Sequence, residues 1–181
     1  MLLSDVKILE MLNDKSLSII PEVKNHNIRP NAVRVHLNTG LIKYKDQTVN
    51  PMLQQEIEYT EISIKDQPYT LMPGEFVLGA TLESIKTPRD IVGVLDGRST
   101  LARLGLMIHM TALTIDSLYD ESRTITLEIY NASNMKIVLT SNMPIGSLGF
   151  MKLDQPVLQK TQGQYRHQNG VCGANLKNQF S

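Results

Sequence analysis

The 181-residue chain has one cysteine, no excess of either charge and no long apolar run. Each shortage excludes something. A lone thiol, Cys172, closes no internal disulfide and builds no multi-cysteine zinc or iron–sulfur cage. Eighteen basic residues balance eighteen acidic ones, so nothing drives the whole chain onto nucleic acid or an anionic membrane. Any anion site must therefore be local. The uncharged apolar stretches fall far short of the ~20 residues of a membrane helix. The opening MLLSDVKILEML holds Asp5, Lys7 and Glu10 and does not read as a signal peptide. Histidines 26, 36, 109 and 167 form no HxH, HxxxH or HExxH set. The expectation is a soluble cytoplasmic protein with one domain of ordinary size and neither a nucleic-acid nor a membrane partner.

What is present is mostly short strand patterns. Residues 4–14 form a helix candidate, with Ser4 as its cap and an apolar stripe of Val6, Ile8, Leu9 and Leu12. Val33, Val35 and Leu37 alternate with Arg34, His36 and Asn38, the period of a half-buried strand. From 56 to 95 the strand-like pieces are cut by QP, MPGE and KTPRD. A short helical segment, RSTLARLGL, precedes LMIHMTALTI, RTITLEIYN, MKIVLT and PIGSLGFMKL, which all read as strands. Strands recurring every 8–12 residues or so predict a mainly β domain over residues 1–153, a sandwich or a barrel. Residues 154–181 are rich in Gln, Asn and Gly. They read as a frayed tail, or as a lid that orders over a ligand through Tyr165, Arg166, Gln168 and Gly170.

Two stretches could carry chemistry. DGRSTLARLGLMIHMTA (96–112) gathers Gly97, Arg98, Ser99, Thr100 and Arg103 at the start of a helix. Free N–H groups, hydroxyls and guanidiniums together suit a phosphate, and Gly97 lets a backbone approach closely. A capped surface helix with solvated arginines fits the same residues. In RTITLEIYN, Ile125, Leu127 and Ile129 face one way and Thr124, Thr126, Glu128 and Tyr130 the other. Glu128 is either part of a solvated face or a carboxylate lining a cleft, where burial would bring it toward the range of a general base. His109 reads as a core or interface histidine, and Asp116 as a turn residue or a sugar contact.

DGRSTLARLGLMIHMTALTID, ITLEIYN and IGSLGF, in that order, resemble the dCTP deaminase family, which is related to the trimeric dUTPases. The similarity runs from about residue 70 to 153, with weaker echoes in the N-terminal helix and in GQYRHQNG. It implies a distorted, mostly antiparallel β-barrel, assembled as a homotrimer with active sites where subunits meet. The implied reaction is deamination of dCTP to dUTP with release of ammonia, and dTTP is implied as an inhibitor. Arg98, Ser99, Thr100 and Arg103 would hold the triphosphate, with Mg²⁺ bridging its phosphates. Glu128 would be the general base, with Ser99 and Arg103 supporting the tetrahedral intermediate. Asp116 would contact the sugar, and the Ala112 backbone would lie against the pyrimidine. Thr126 and Leu127 would flank the substrate, while Gln164 and Gln168 belong to a tail that closes over the triphosphate. Zinc is not expected, because the H-x-E…P-C-x-x-C set of zinc deaminases is missing and no protein-held metal ligands stand out.

Three departures from the family pattern stand out. After Asp116 the family has Pro-Gly-aromatic-x-Gly, where this chain has SLYDESRT, two residues longer. The family tail reads Gly-Lys-Tyr-x-x-Gln, and Gln164 here replaces the lysine, a cation that Lys160 or Arg166 could supply instead. Arg34 and His36 stand where the family tends to carry Asp and Arg, a change expected to bear on subunit packing. The alternatives are a bifunctional deaminase and dUTP diphosphatase, a dUTPase using Asp116 to activate water, or a nucleotide-binding regulator without turnover. Glu128, and the lack of a Gly-rich GGxGSTG-like tail, favour deamination.

Overall fold

Alternation of apolar and polar side chains decides most of the architecture. The computed structural model describes residues 1–158, 165 and 167–177. Helix α1 (Asp5–Asn13) is followed by β1 (Ser18–Ile20), β2 (Ile28–Arg29), β3 (Ala32–His36) and β4 (Gly40–Tyr44). Then come β5 (Tyr59–Ser63), β6 (Tyr69–Leu71), β7 (Phe76–Ala80), β8 (Ser84–Lys86) and β9 (Ile91–Gly97). Helix α2 (Ser99–Arg103) leads to β10 (Leu106–Met107), β11 (Thr114–Ile115), β12 (Thr126–Asn131), β13 (Ile137–Leu139) and β14 (Pro144–Lys152).

The fold is mainly β. One five-stranded sheet has the order β11-β9-β14-β3-β2 and the other β10-β12-β7-β4-β5, with every pair antiparallel. Two small sheets, β1-β8 and β13-β6, complete the strand pairing. The inward residues of both large sheets meet in one apolar cluster that includes Val33, Val35, Leu37, Leu127, Ile129 and Phe150. Strand β7 runs between β12 and β4 and is buried from Val77 to Ala80, which is why FVLGA is apolar throughout rather than alternating. No helix among the described residues is long and apolar enough to cross a membrane.

Three expectations change. The strands form separate sheets rather than one closed barrel. Register shifts between Pro144 and Gly146, and among the described residues β3 meets the β7 side only through the isolated bridge Leu37–Thr81, so no continuous ladder runs round them. Helix α1 buries Ile8 and Met11, whereas Val6 is 63% exposed and Ser4 makes no side-chain capping bond. Backbone bonds on both sides of Ser4, Leu3 N–H to Phe150 and Asp5 N–H to Pro30, set how the helix rolls against the sheet. The apolar run 106–115 is not one strand but two short ones, because its ends pair with different sheets, β10 with β12 and β11 with β9.

Candidate active site

Strand β12 carries the centre of the site. Leu127 and Ile129 are fully buried, so Thr126 and Glu128 stand on the opposite face. Beside them lies a cavity of about 280 Å³ whose walls include Ala112, Asp116, Arg123, Thr126, Glu128 and Gln168. A second cavity, about 380 Å³, shares Thr126, Glu128 and Gln168 and continues toward Tyr44, Phe76 and Cys172. Burial pushes the Glu128 carboxyl above its ordinary value. The Met110 N–H, 3.3 Å from Oε2, and the nearby His109 oppose that shift without cancelling it. A half-buried carboxylate with a raised proton affinity, on a cavity wall, is equipped to take and return a proton.

The C-terminal segment docks on the same strand. Gln168 Nε2 donates to Thr126 Oγ1 at 2.6 Å and to the Gly170 carbonyl at 3.0 Å. Gly170 is fastened to Thr124, its N–H donating to Oγ1 at 2.9 Å and its carbonyl accepting from Oγ1 at 3.1 Å. A φ of 88° at Gly170 makes this turn available chiefly to glycine. Gln164 lies outside the described residues.

The divergent loop 117–124 is anchored by side chains instead of by Pro and Gly. Ser117 Oγ donates to the Pro88 carbonyl at 2.9 Å, and Thr87 Oγ1 accepts the Leu118 N–H at 2.9 Å. Arg89 lies over the Tyr119 ring, 4.6 Å from its centroid, and Arg123 pairs with Asp120 at 2.8 Å in near-complete burial. His167 from the tail reaches Glu121 at 2.8 Å. Arg123 thus joins the site although nothing in its sequence spacing singled it out; Tyr165, expected as a lid contact, lines both cavities, and His109, read as a core or interface histidine, borders Glu128.

The predicted phosphate residues are grouped elsewhere. Ser99, Thr100 and Arg103 are exposed on α2, and Arg98 is half-buried with Nη1 donating to the Pro144 carbonyl at 2.9 Å. Helix α2 is only five residues long, so its dipole is small and the hydroxyls and guanidiniums matter more. Among the described residues, its two chain neighbours aside, nothing comes within 4 Å of a Cβ built on Gly97, leaving that backbone open to approach.

Within one chain these residues do not meet Glu128. β10 pairs Leu106 with Asn131, and Gly105 abuts Ser133, so α2 lies beyond the C-terminal end of β12. Asn131 is already about 10 Å along the strand from Glu128 at ~3.3 Å per residue. Ala112 and Asp116 are brought to the Glu128 cavity; Arg98, Ser99, Thr100 and Arg103 are not among its walls. Leu127 is fully buried, so its side chain belongs to the core and only its backbone remains to contact a ligand.

Comparison with known proteins places the chain in a well-populated group. The dCTP deaminase-like family model matches residues 2–153. A protein named dCTP deaminase from Buchnera aphidicola subsp. Schizaphis graminum is 37% identical, covering 97% of this chain and 98% of its own. A protein named dCTP deaminase, dUMP-forming, from Dictyoglomus turgidum is 35% identical, covering 99% and 97% respectively. The crystal structure of a 2'-deoxycytidine 5'-triphosphate deaminase from Agrobacterium tumefaciens superposes on 82% of this chain with a TM-score of 0.64 and 17% identity. The chain spans 47% of the length of that structure's chain, and the likeness is one of fold.

Proposed function

The chain belongs to the dCTP deaminase-like family, and on that premise we propose that it deaminates dCTP to dUTP. The observation that carries this is the Glu128 carboxyl, raised by burial on the wall of a cavity that also holds Ala112 and Asp116. Glu128 takes a proton from water as the water oxygen bonds to C4 of cytosine, and the ring nitrogen N3 gains a proton. Glu128 passes that first proton to N3, then takes the proton of the new C4 hydroxyl and gives it to N4, so that C4=O forms as the C4–N4 bond breaks and ammonia leaves. Desolvation keeps the carboxyl basic enough for both transfers.

Asp116 faces the deoxyribose, the Ala112 backbone and Thr126 flank the pyrimidine, and the tail closes over the nucleotide through Gln168. Arg98, Ser99, Thr100 and Arg103 bind the triphosphate, with Ser99 and Arg103 steadying the tetrahedral intermediate. Because α2 and Glu128 are separated in one chain, these groups come to each cavity from a neighbouring copy, in a homotrimer closed around shared sites. Leu104, Met107, Met110 and Leu113, exposed beside α2 and after it, are the apolar residues available for that contact. Competition by dTTP and a cytoplasmic location belong to the same reading. Magnesium is assigned no step. Arg34 and Arg29 act on Arg98 electrostatically, and no group of three or more His, Cys, Asp or Glu among the described residues could hold a metal. The charged groups acting on Arg98 are bases, and Asp96 beside it has one oxygen taken by the Gly97 N–H, so the protein side chains at the socket offer little to an ion that the substrate's own phosphates would have to hold.

The test is ammonia release from dCTP by wild type and by Glu128→Gln. Release that the variant loses while still binding nucleotide supports the reading; a wild type that binds dCTP and releases no ammonia overturns it in favour of a nucleotide-binding regulator. The dUMP-forming relative motivates a second reading, deamination followed by loss of pyrophosphate. Pyrophosphate appearing in step with ammonia would establish it.

A further inference from the structure

Arg34 and Arg98 belong to different strands of one sheet and are brought toward each other across β14. Val33 and Val35 are buried, so Arg34 between them lies on the outer face of β3. Its register partner is Ser147, and Ser147 is paired in turn with Asp96, two residues before Arg98. Arg98 reaches back over the same sheet. The carbonyl it holds, at 2.9 Å, is that of Pro144, whose partner on β3 is His36, two residues on from Arg34. The charges feel one another: burial first, then Arg34 and Arg29, weaken the hold of Arg98 on its proton.

Among the described residues, none of Arg29, Arg34 and Arg98 forms an ion pair. Arg34 also lines a cavity of about 390 Å³ with Lys24, His26, His36 and Asn142. Glu22 and Glu83 share its walls, but Glu83 is engaged by His36, whose backbone N–H and Nδ1 lie 2.9 and 2.6 Å from its two oxygens. Asp96, across Ser147, has one oxygen taken by the Gly97 N–H at 2.8 Å. Gathered cations repel each other and lower stability unless an anion neutralises them.

Resting on the deaminase reading, we infer that Arg34 is a further triphosphate-binding residue, and that Arg34 and Arg98 supply the counter-charge a divalent ion would otherwise bring. A guanidinium offers two parallel N–H donors to phosphate oxygens, a geometry that an ammonium does not reproduce. Magnesium is held through carboxylates together with phosphate oxygens, and at this face the outward position on β3 is a base, where the resembled family tends to carry an acid. The site therefore binds its nucleotide without a divalent ion.

Equilibrium binding of dCTP and of inorganic tripolyphosphate is measured in excess EDTA and in saturating Mg²⁺, beside ammonia release. Wild type is expected to bind both ligands in EDTA within about threefold of the Mg²⁺ value. Arg34→Ala is expected to weaken both by about tenfold or more, and Arg34→Lys, which keeps the charge but not the fork, by less. Should the alanine variant not fold, the lysine variant alone decides, and unchanged affinity in it overturns the inference. So does a wild type that binds neither ligand without Mg²⁺. Ammonia release with unaltered affinity in both variants defeats the Arg34 site and leaves the deaminase reading standing. Arg34-dependent binding without ammonia release does the reverse.

Discussion

Gln168 donates to Thr126 across 2.6 Å, so the C-terminal segment is fastened to β12 two positions from Glu128. A residue far along the chain thereby becomes a wall of the cavity in which the reaction is proposed to occur. Gln168→Ala should raise the KM for dCTP by about tenfold, the order expected for losing one hydrogen bond to a charged ligand, with a smaller change in kcat. Steady-state ammonia release checks this. A KM equal to that of wild type would remove the tail from the site.

The acid limb of kcat/KM should lie above the ordinary glutamate value of 4.5, because burial raises the Glu128 pKa. Folded protein holds this proton more tightly than unfolded chain, so the cost of ionising Glu128 is absent below pH 4.5 and grows as pH rises through the raised value. Glu128→Gln should therefore leave stability at neutral pH unchanged or improved. It should also lower ammonia release by roughly 10²–10⁴-fold. Thermal melts and a pH–rate profile measure both, and a clear loss of stability in the variant would count against the carboxylate being strained.

Three glycines should respond differently to alanine. Gly105 has φ 82°, and a Cβ there would stand 3.0 Å from the Ser133 backbone nitrogen, so Gly105→Ala should cost about 1–3 kcal/mol. At Gly146 the Cβ would meet the Asp96 carbonyl at 2.9 Å and Ile108 at 2.5 Å, with a similar penalty of about 1–3 kcal/mol. Gly97→Ala meets nothing within 4 Å and should stay within about 0.5 kcal/mol of wild type. Its effect should appear in the KM for dCTP. Urea unfolding separates Gly97→Ala from the other two.

His36 and Glu83 form a buried pair, with side chains 16% and 7% exposed and 2.6 Å between Nδ1 and Oε1. Removing the carboxylate by Glu83→Ala leaves both His36 donors unanswered and should destabilise by about 3 kcal/mol or more. Glu83→Gln keeps an acceptor and should cost less. Equal losses for the two substitutions would show that the pair contributes packing alone.

The β3 and β12 patterns were legible because a strand's side chains alternate strictly. Val33, Val35 and Leu37 are all buried, and so are Leu127 and Ile129, leaving Glu128 on the opposite face. The roll of α1 was not legible. Val6 and Leu9 are as apolar as Ile8, and the backbone bonds flanking Ser4 choose which of them is covered. The break at 106–115 was hidden for a similar reason, since an apolar run says that a segment is suited to pairing but not with which sheet.

By itself, then, the sequence determined the class of fold, the phosphate-suited chemistry of residues 97–103 and the face on which Glu128 lies. These depend on side-chain type and on local periodicity, which are written residue by residue. Only the tertiary structure decided that Gln168 meets Thr126, that β14 sets the strands of Arg34 and Arg98 on either side of it in one sheet, and that α2 stands apart from Glu128 in a single chain. Those relationships follow from sheet order and register, which bring together residues that local pattern leaves unrelated.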